Sequence, residues 1–403
     1  MDAGGALTPS EEVRAWCATG LLALCGTPEE PAAPPIGLVD GLIALEKRTV
    51  HAAAVLGAEL SISWPELVLG RAAMRRFTPK GRTSANGSCR LLATRDVPVA
   101  LNLPRPDDLA VLDALVEGEV GEDYWSSLEH WAASQSSQEV LDRTALLHLA
   151  AGALGEARSD AVVRSQVGER TAPRSLQGLR VVDLTSMWAG PLCANLLAQT
   201  GASVLKVEAR ARPDGARLDE RFYAWLHPED QIDVIVDLGT PTGREELRRM
   251  LESADVVLES SRPRALRQLG LDYESLSLRP GMVWAAITAR GPLEPMAVGF
   301  GDDAAVAGGL VARTMEGEEV FCGDAIADPI SGMFAAAEVF ESLAAGGGVH
   351  LGISMAGCAR SVISFDRAAE CRAFISRRVD GHLAVEVDGE MIEVLGPRVP
   401  VGV

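Results

Sequence analysis

In the second half of the chain, short apolar runs alternate with segments whose apolar residues recur at helical spacing. The runs have the length and composition of strands buried on both faces. Strands are predicted at residues 180–184, 203–207, 232–237, 255–258 and 283–287. Helices are predicted at residues 191–200, 243–252, 264–269 and 332–345. This alternation favours an α/β fold with a mostly parallel sheet.

The last section of the chain repeats the pattern and then changes it. A strand is predicted at residues 349–353 and a helix over residues 359–377. Alternating residues at 382–394 predict a hairpin that turns at Asp388-Gly389.

The first 175 residues have a different organisation. Helical spacing covers residues 10–30, 36–60 and 64–74, strands are predicted at 89–94 and 98–102, and two or three helices fill 107–154. Residues 156–176 are polar, charged and weakly periodic, which is typical of a domain boundary. We therefore predict a smaller helical or α+β domain over residues 1–160 and a Rossmann-like domain over residues 176–403.

Composition narrows the class of protein. The net charge of −19 over 403 residues argues against nucleic acid or an anionic membrane as the main partner. Seven scattered cysteines with no CxxC pair predict reduced thiols, with neither a disulfide framework nor a metal site. The N-terminus lacks a basic region, and no apolar run approaches about 18 residues. We expect a cytoplasmic protein.

The first strand–loop–helix unit is the natural place for a ligand. The loop from Thr185 to Pro191 leads into a helix whose free N–H groups suit a phosphate or an adenylate. Glu208 ends the next strand, where a ribose-binding acid stands in Rossmann proteins. The GxGxxG fingerprint is absent, however, and only Gly190 is present, which disfavours NAD. An ordinary βαβ unit without a ligand stays open on the residues alone.

Several motifs, taken together and in order, resemble the class III CoA-transferases, the family of formyl-CoA and carnitine-CoA transferases and α-methylacyl-CoA racemases. The resemblance covers residues 176–365. It is carried by residues 176–185, Ala189-Gly190-Pro191, residues 201–208, 236–238, 240–244 and 254–259, Arg262-Pro263, Leu269-Gly270-Leu271 and Ile326-Ala327-Asp328-Pro329.

The resemblance implies a Rossmann-like large domain, a smaller domain and an interlocked homodimer. It implies that CoA is a substrate, that no cofactor is tightly bound, and that the nucleophile is Asp328. CoA contacts are implied for Met187, Trp188 and Ala189 in the first loop, for Arg210 and Arg212 with Arg217 as a further candidate, and for Ser260, Ser261 and Arg262.

The chain departs from the family pattern in four ways. About 175 residues precede the first αβ unit, so the small domain is expected at the front, as in a circular permutation. Residues 81–88 would then supply the glycine loop over Asp328, with Gly81, Asn86 and Gly87 stabilising the oxyanion. Ser260-Ser261 replaces the usual Asn-aromatic pair, and Gly239 replaces a lysine. Residues 299–304 lack the histidine of the racemases.

The missing histidine favours transfer over racemisation, because racemisation needs two groups that exchange a proton. The leading hypothesis is transfer of CoA from an acyl-CoA to a carboxylic acid through aspartyl anhydride and aspartyl-CoA intermediates. The alternatives are an acyl-CoA epimerase, isomerase or lyase, and a catalytically silent CoA-binding or scaffold protein. Asp328 could instead cap the helix that starts near Pro329.

Overall fold

The computed structural model describes residues 6–227, 230–363, 376–379 and 382–401. The helices are α1 Pro9–Thr19, α2 Leu38–Val55, α3 Trp64–Arg75, α4 Pro106–Leu109, α5 Leu112–Val116, α6 Tyr124–Ala133, α7 Ser137–Leu146, α8 Ala189–Gln199, α9 Glu220–Leu226, α10 Pro241–Ser253, α11 Pro263–Leu269, α12 Gly301–Ala307, α13 Ala327–Ala344 and α14 Met355–Ser361.

The strands are β1 Cys89–Leu92, β2 Val99–Asn102, β3 Ala150–Ala153, β4 Val162–Gln166, β5 Arg180–Asp183, β6 Ser203–Ala209, β7 Ile232–Val236, β8 Val256–Glu259, β9 Val283–Thr288, β10 Ala312–Arg313, β11 Glu319–Val320, β12 Val349–Ser354, β13 Ser376–Val379, β14 His382–Val387 and β15 Glu390–Glu393. Short 3₁₀ turns lie at Leu22–Leu24, Gly215–Leu218 and Gly291–Leu293.

A seven-stranded sheet forms the centre of the molecule, in the order β4-β12-β9-β8-β5-β6-β7. From β12 to β7 neighbouring strands are parallel, and only β4 runs antiparallel, at one edge. The predicted α/β fold with a Rossmann-like, mostly parallel sheet is confirmed. The strand predictions from residue 180 onward succeeded because the buried strands are continuous apolar runs.

Helices α8 and α13 pack closely on one face of the sheet and bring their N-terminal ends together. Gly332 of α13 makes this approach possible, since a Cβ there would lie 2.6 Å from the carbonyl oxygen of Ala189. The same contact places Asp328, one turn earlier on α13, beside the loop that follows β5.

The front part of the chain packs in two ways. Helices α1 to α3 bury their apolar faces in the core that also contains α8 and α13. Strands β1 to β3 and helices α5 to α7 hold a core of their own, centred on Leu101, Leu115 and Leu128. The division into domains over residues 1–160 and 176–403 stays a prediction. Among the described residues, no helix combines the length and apolar content needed to cross a bilayer.

Strand β4 was not predicted, and two predictions of secondary structure were wrong. Residues 156–176 contain strand β4, whose side chains are mostly exposed, so no apolar pattern marks it. Four short helices and then β3 occupy the segment predicted as two or three helices; β3 is an Ala-Gly run with low strand propensity. The helix predicted to Arg377 gives way to β13 at Ser376, and residues 364–375 of it lie outside the described residues.

The predicted hairpin at the end of the chain is confirmed. Strands β14 and β15 pair antiparallel, and Asp388 and Gly389 both adopt positive φ between them, at 52° and 81°. Two positive φ values are what a type I′ turn requires.

Candidate active site

A cavity of about 240 Å³ lies where β5, β8 and β9 end and where α8 and α13 begin. It joins residues from both parts of the chain. Of the residues named from the sequence, the following line it: Asn86, Met187, Ala189, Arg212, Ser260, Ser261, Arg262 and Asp328. Ligands bind at the carboxyl ends of strands in open α/β sheets, so this is the expected place for a substrate.

Asp328 lies in the first turn of α13 and is half-buried, with its exposed part at the cavity. Among the described residues, its carboxylate accepts no hydrogen bond. Burial raises its pKa to about 7, and the carboxylates of Asp302, Asp303 and Asp324 act in the same direction, while Arg71 opposes them. The group is therefore a carboxyl that titrates near neutral pH and is free to react.

The helix-cap interpretation of Asp328 is wrong. Helix α13 begins at Ala327, and its cap position is Ile326, which provides no side-chain hydrogen bond. Asp328 is the second residue of the helix, and its own N–H donates to the carbonyl of Ala325 at 2.9 Å.

Arg71 of α3 also lines the cavity, and the sequence analysis missed it. It donates from Nε and Nη2 to the two carboxylate oxygens of Asp324, at 2.8 and 2.7 Å. Its guanidinium lies over the ring of Trp188, 4.6 Å from the centroid. The available signal was that Arg71 falls on the apolar face of its helix, between Leu67 and Met74.

Asp302 links the turn that contains Asn86 to the segment that leads into α13. Its Oδ2 accepts from Asn86 Nδ2 at 3.0 Å, and its Oδ1 accepts from the N–H of Ala325 at 2.9 Å. The side chain is only 3% exposed. Burial raises its pKa to about 7, Asp324 adds to this, and Arg71 opposes it.

Asp303 does not line the cavity. Its Oδ1 accepts from Asn102 Nδ2 at 3.1 Å and from the N–H of Phe300 at 2.9 Å. Burial raises its pKa to about 6, and the nearby charge of Arg290 opposes the rise. Two neighbouring acids on α12 therefore have different surroundings.

The predicted glycine loop is only partly at the cavity. Asn86 and Ser88 line it, but Gly81 and Gly87 do not. The N–H of Gly81 donates to the carbonyl of Gly26 at 2.7 Å, and the N–H of Gly87 donates to Ser84 at 2.9 Å. The oxyanion role of these two glycines stays a prediction.

The mouth of the cavity is positively charged. Arg105, Arg212 and Arg262 line it. Burial lowers the pKa of Arg262, and the charges of Arg105, Arg212 and Arg264 lower it further. Cations held close together in this way form the local island that an anionic ligand needs on a protein with net charge −19.

The other candidate CoA contacts lie elsewhere. Trp188 is fully buried beneath Arg71 and does not line the cavity. Arg210 is exposed and outside the lining. Arg217 forms ion pairs with Glu208, the acid near the end of β6, and with Asp233, both at 2.6 Å.

A second cavity of about 200 Å³ adjoins the first and shares Ser186, Arg212, Ser260 and Ser261 with it. Its remaining lining is mostly apolar and includes Val207 and Leu266. The two cavities therefore lie side by side at the carboxyl ends of β5, β6 and β8.

A buried lysine fixes the loop between the two cavities. Lys206 is fully buried, and its Nζ lies 3.3 Å from Asp183 and 3.2 Å from Asp214 and also donates to the carbonyl of Thr185. Asp214 in turn accepts the N–H of Met187 at 2.9 Å. Met187 has a φ of 72°, which is uncommon for a residue other than glycine and is maintained by this contact.

Comparison with known sequences places the chain in a family. The profile of CoA-transferase family III matches residues 176–383, just over half of the chain. The chain therefore belongs to CoA-transferase family III. The motifs quoted from the sequence fall within this range, so the predicted resemblance is confirmed.

Two curated relatives show the extent of the similarity. A succinate–glutarate CoA-transferase of Agrobacterium fabrum is 32% identical over 203 residues, which are 45% of this chain and 50% of that protein. A succinyl-CoA–D-citramalate CoA-transferase of Chloroflexus aurantiacus is 33% identical over 176 residues, which are 41% and 44% of the two chains. The chain spans about half the length of the curated relatives that it matches.

Among solved structures, a CaiB/BaiF family protein from Brucella suis overlaps with this chain at a TM-score of 0.47 and 24% identity. The overlap covers 53% of this chain and 66% of that chain.

Proposed function

We propose that the protein is a CoA-transferase that moves CoA from an acyl-CoA to a carboxylic acid, with Asp328 as the nucleophile. The observation that carries the proposal is the position of the Asp328 carboxylate. It is free of hydrogen bonds from the described residues and lies in a cavity whose mouth is lined by three arginines. Family membership supports the same chemistry.

In this proposal CoA lies across the two adjoining cavities in one orientation. The adenine would occupy the apolar cavity beside Val207 and Leu266, and the phosphates would lie against Arg212 and Arg262, next to the N-terminus of α8. The pantetheine arm would then pass Met187 and place the thioester at Asp328. No metal or tightly bound cofactor has a part in this proposal.

The reaction begins when an oxygen of Asp328 attacks the thioester carbonyl. A mixed anhydride forms, and the carbon–sulfur bond breaks to release CoA thiolate. The thiolate attacks the aspartyl carbonyl, which frees the first acid and leaves an aspartyl-CoA thioester. The acceptor carboxylate attacks that thioester, and returning thiolate converts the new anhydride to the product and restores Asp328.

The surroundings of Asp328 suit this cycle. A pKa of about 7 leaves a substantial ionised fraction at neutral pH, yet a carboxylate so little solvated is a stronger nucleophile than one in water. The charge of Arg71 keeps the pKa from rising further.

The expected partners are an acyl-CoA and a small carboxylic acid, and neither nucleic acid nor a membrane is proposed. Association into a homodimer, interlocked as in the family, and a cytoplasmic location both belong to this proposal.

The test is to trap the aspartyl intermediate. The protein is incubated with an acyl-CoA, treated with hydroxylamine, digested and analysed by mass spectrometry. We expect a hydroxamate on Asp328 in the wild-type protein and none in Asp328→Asn. Asp160→Asn, which neutralises an exposed aspartate, is the control and should behave as wild type. A wild-type protein that gives no more adduct than Asp328→Asn would refute the proposal.

The same incubation in deuterium oxide separates transfer from α-proton exchange. Transfer predicts an acyl-CoA without deuterium at the α-carbon and exchange of CoA between the donor and acceptor acids. Deuterium at the α-carbon without exchange of CoA between acids would instead show an epimerase or isomerase.

A further inference from the structure

The acidic residues around Asp328 are accompanied by too few cations for all of them to be ionised. Arg71 directs two N–H groups at Asp324 and so neutralises one carboxylate. Asp303 has the nearby charge of Arg290. Asp302 and Asp328 then share one cavity, and among the described residues neither forms an ion pair within 4.0 Å. Two adjacent ionised carboxylates with little water are costly, so the pair retains a proton.

The groups that face Asp302 come from every element around it. They are Arg71 from α3, Asn86 from the turn before β1, Cys89 from β1, Asp324 and the N–H of Ala325 from the segment before α13, Asp328 from α13 and Asp303 beside it on α12. Arg71 is the one cation of this set, and its Nε and Nη2 already donate hydrogen bonds to Asp324.

We propose that Asp302 is a second catalytic carboxyl: it holds the proton of the pair when Asp328 is ionised and donates a hydrogen bond to the thioester carbonyl oxygen. The inference rests on the proposed function of Asp328.

Geometry supports this assignment. Gly301 precedes Asp302 in α12, and a Cβ on Gly301 would lie 2.6 Å from Asp328 Oδ2. The first turn of α12 therefore lies against the Asp328 carboxylate, and both acids line the same cavity. Asn86 holds Oδ2 of Asp302 and Ala325 holds Oδ1, so the carboxyl group has a fixed plane.

The backbone N–H groups that the sequence predicted as oxyanion donors form other hydrogen bonds. A protonated Asp302 could therefore supply the donor to the carbonyl oxygen. The N–H groups of Gly81 and Gly87 are bonded to the carbonyls of Gly26 and Ser84. Neither glycine lines the cavity. A neutral carboxylic acid is a strong donor in a dry site and is known to serve as one half of an oxyanion hole.

The step balances without a further reactant. An Asp328 oxygen forms a bond to the carbonyl carbon, the carbon–sulfur bond breaks, and its electron pair leaves with the CoA thiolate. Negative charge passes transiently to the carbonyl oxygen, where the O–H of Asp302 stabilises it. The proton stays on Asp302 throughout.

The experiment compares Asp302→Asn with Asp302→Ala in single turnover, with formation of the Asp328 adduct as the readout, from pH about 5 to about 9. Asparagine keeps a neutral donor but only one of the two accepting oxygens of Asp302, so we expect a smaller loss of rate than for alanine, which should lose about 10²–10³-fold. Wild type should lose rate at high pH as Asp302 ionises, and Asp302→Asn should lack that fall.

Asp160→Asn is the control, because it makes the same change at an exposed acid outside the cavity lining. Its rate and pH profile should follow wild type. Asp302→Asn as inactive as Asp302→Ala, or both as active as wild type, would overturn the proposal.

A second measurement does not need turnover. The infrared spectrum of the unliganded protein at neutral pH should show the carbonyl band of a protonated carboxyl, and Asp302→Asn should weaken it. Absence of the band in wild type would contradict the proposal for Asp302. A wild-type protein that shows the band but forms no adduct at Asp328 would instead refute the proposed function.

Discussion

Arg71 and Asp324 form a two-point ion pair beneath the cavity, with Nε–Oδ2 and Nη2–Oδ1 distances of 2.8 and 2.7 Å. Asp324 is completely buried, and Arg71 is stacked over Trp188. The pair joins helix α3 of the front part of the chain to the segment that leads into Asp328. The position of Asp328 therefore depends on a residue more than 250 positions away in the sequence.

Replacing Arg71 with methionine should destabilise the protein by about 3–5 kcal/mol, because Asp324 would be left buried and uncompensated. The free energy of unfolding in urea measures this. The double variant Arg71→Met with Asp324→Asn removes the orphaned charge and should recover most of the loss. Equal destabilisation in the single and double variants would show that the pairing is not the cause.

Stability should fall as the pH rises from about 4 to about 7. The carboxyls of Asp302 and Asp328 have pKa values raised from 3.8 to about 7, so the folded protein binds more protons than the unfolded chain in this range. Deprotonation then favours unfolding. Melting temperatures measured across this range should decline, and Asp302→Asn should flatten the decline. The same slope in wild type and variant would contradict the raised pKa of Asp302.

Gly301→Ala should impair the active site more than an ordinary glycine substitution. The new Cβ would lie 2.3 Å from the carbonyl oxygen of Ala325 and 2.6 Å from Asp328 Oδ2, so α12 or α13 must shift. We expect loss of adduct formation by at least about 10²-fold, since small misplacements of reacting groups cost that much. Gly121→Ala, where a Cβ meets nothing within 4 Å, is the control. Normal adduct formation in Gly301→Ala would show that the carboxylate tolerates displacement.

The sequence sufficed for the central sheet but only partly for the site. Strands β5, β8 and β9 were predictable because burial leaves an apolar run, and the edge strand β7 is apolar although mostly exposed, whereas the edge strand β4 has only two apolar residues. The resemblance located Asp328 and the loop around Met187. It could not show that the N–H groups of Gly81 and Gly87 are bonded elsewhere.

Contacts between segments far apart in the chain could not be predicted from the sequence. Asn86 and Asp302 are separated by 216 positions, and no local pattern indicates that they bond. An arginine on an apolar helical face normally buries its aliphatic stem and extends its guanidinium into solvent. Arg71 was therefore not singled out as a site residue from the sequence. Its pairing with Asp324 can be recognised only in the folded structure, where α3 lies beside the segment that leads into α13.

Removing an arginine at the cavity mouth should weaken CoA binding through the phosphates. Arg212→Ala removes one charged donor from the lining that the two cavities share, and Arg262→Ala removes one from the lining of the first cavity. Because hydrogen bonds to charged groups contribute about 1.5–3 kcal/mol, we expect the dissociation constant to rise by about ten- to a hundredfold. Isothermal titration calorimetry with CoA measures this, and the effect should shrink as salt is added.

Two controls make the result specific. Arg249→Ala removes an equal charge from the exposed face of α10 and should leave CoA affinity unchanged. Pantetheine carries the thiol arm of CoA without its phosphates, so its weaker binding should be insensitive to Arg212→Ala and Arg262→Ala. If both arginine variants bound CoA as tightly as Arg249→Ala does, the phosphates would have to lie elsewhere, and the path of the thiol arm to Asp328 would need to be drawn again.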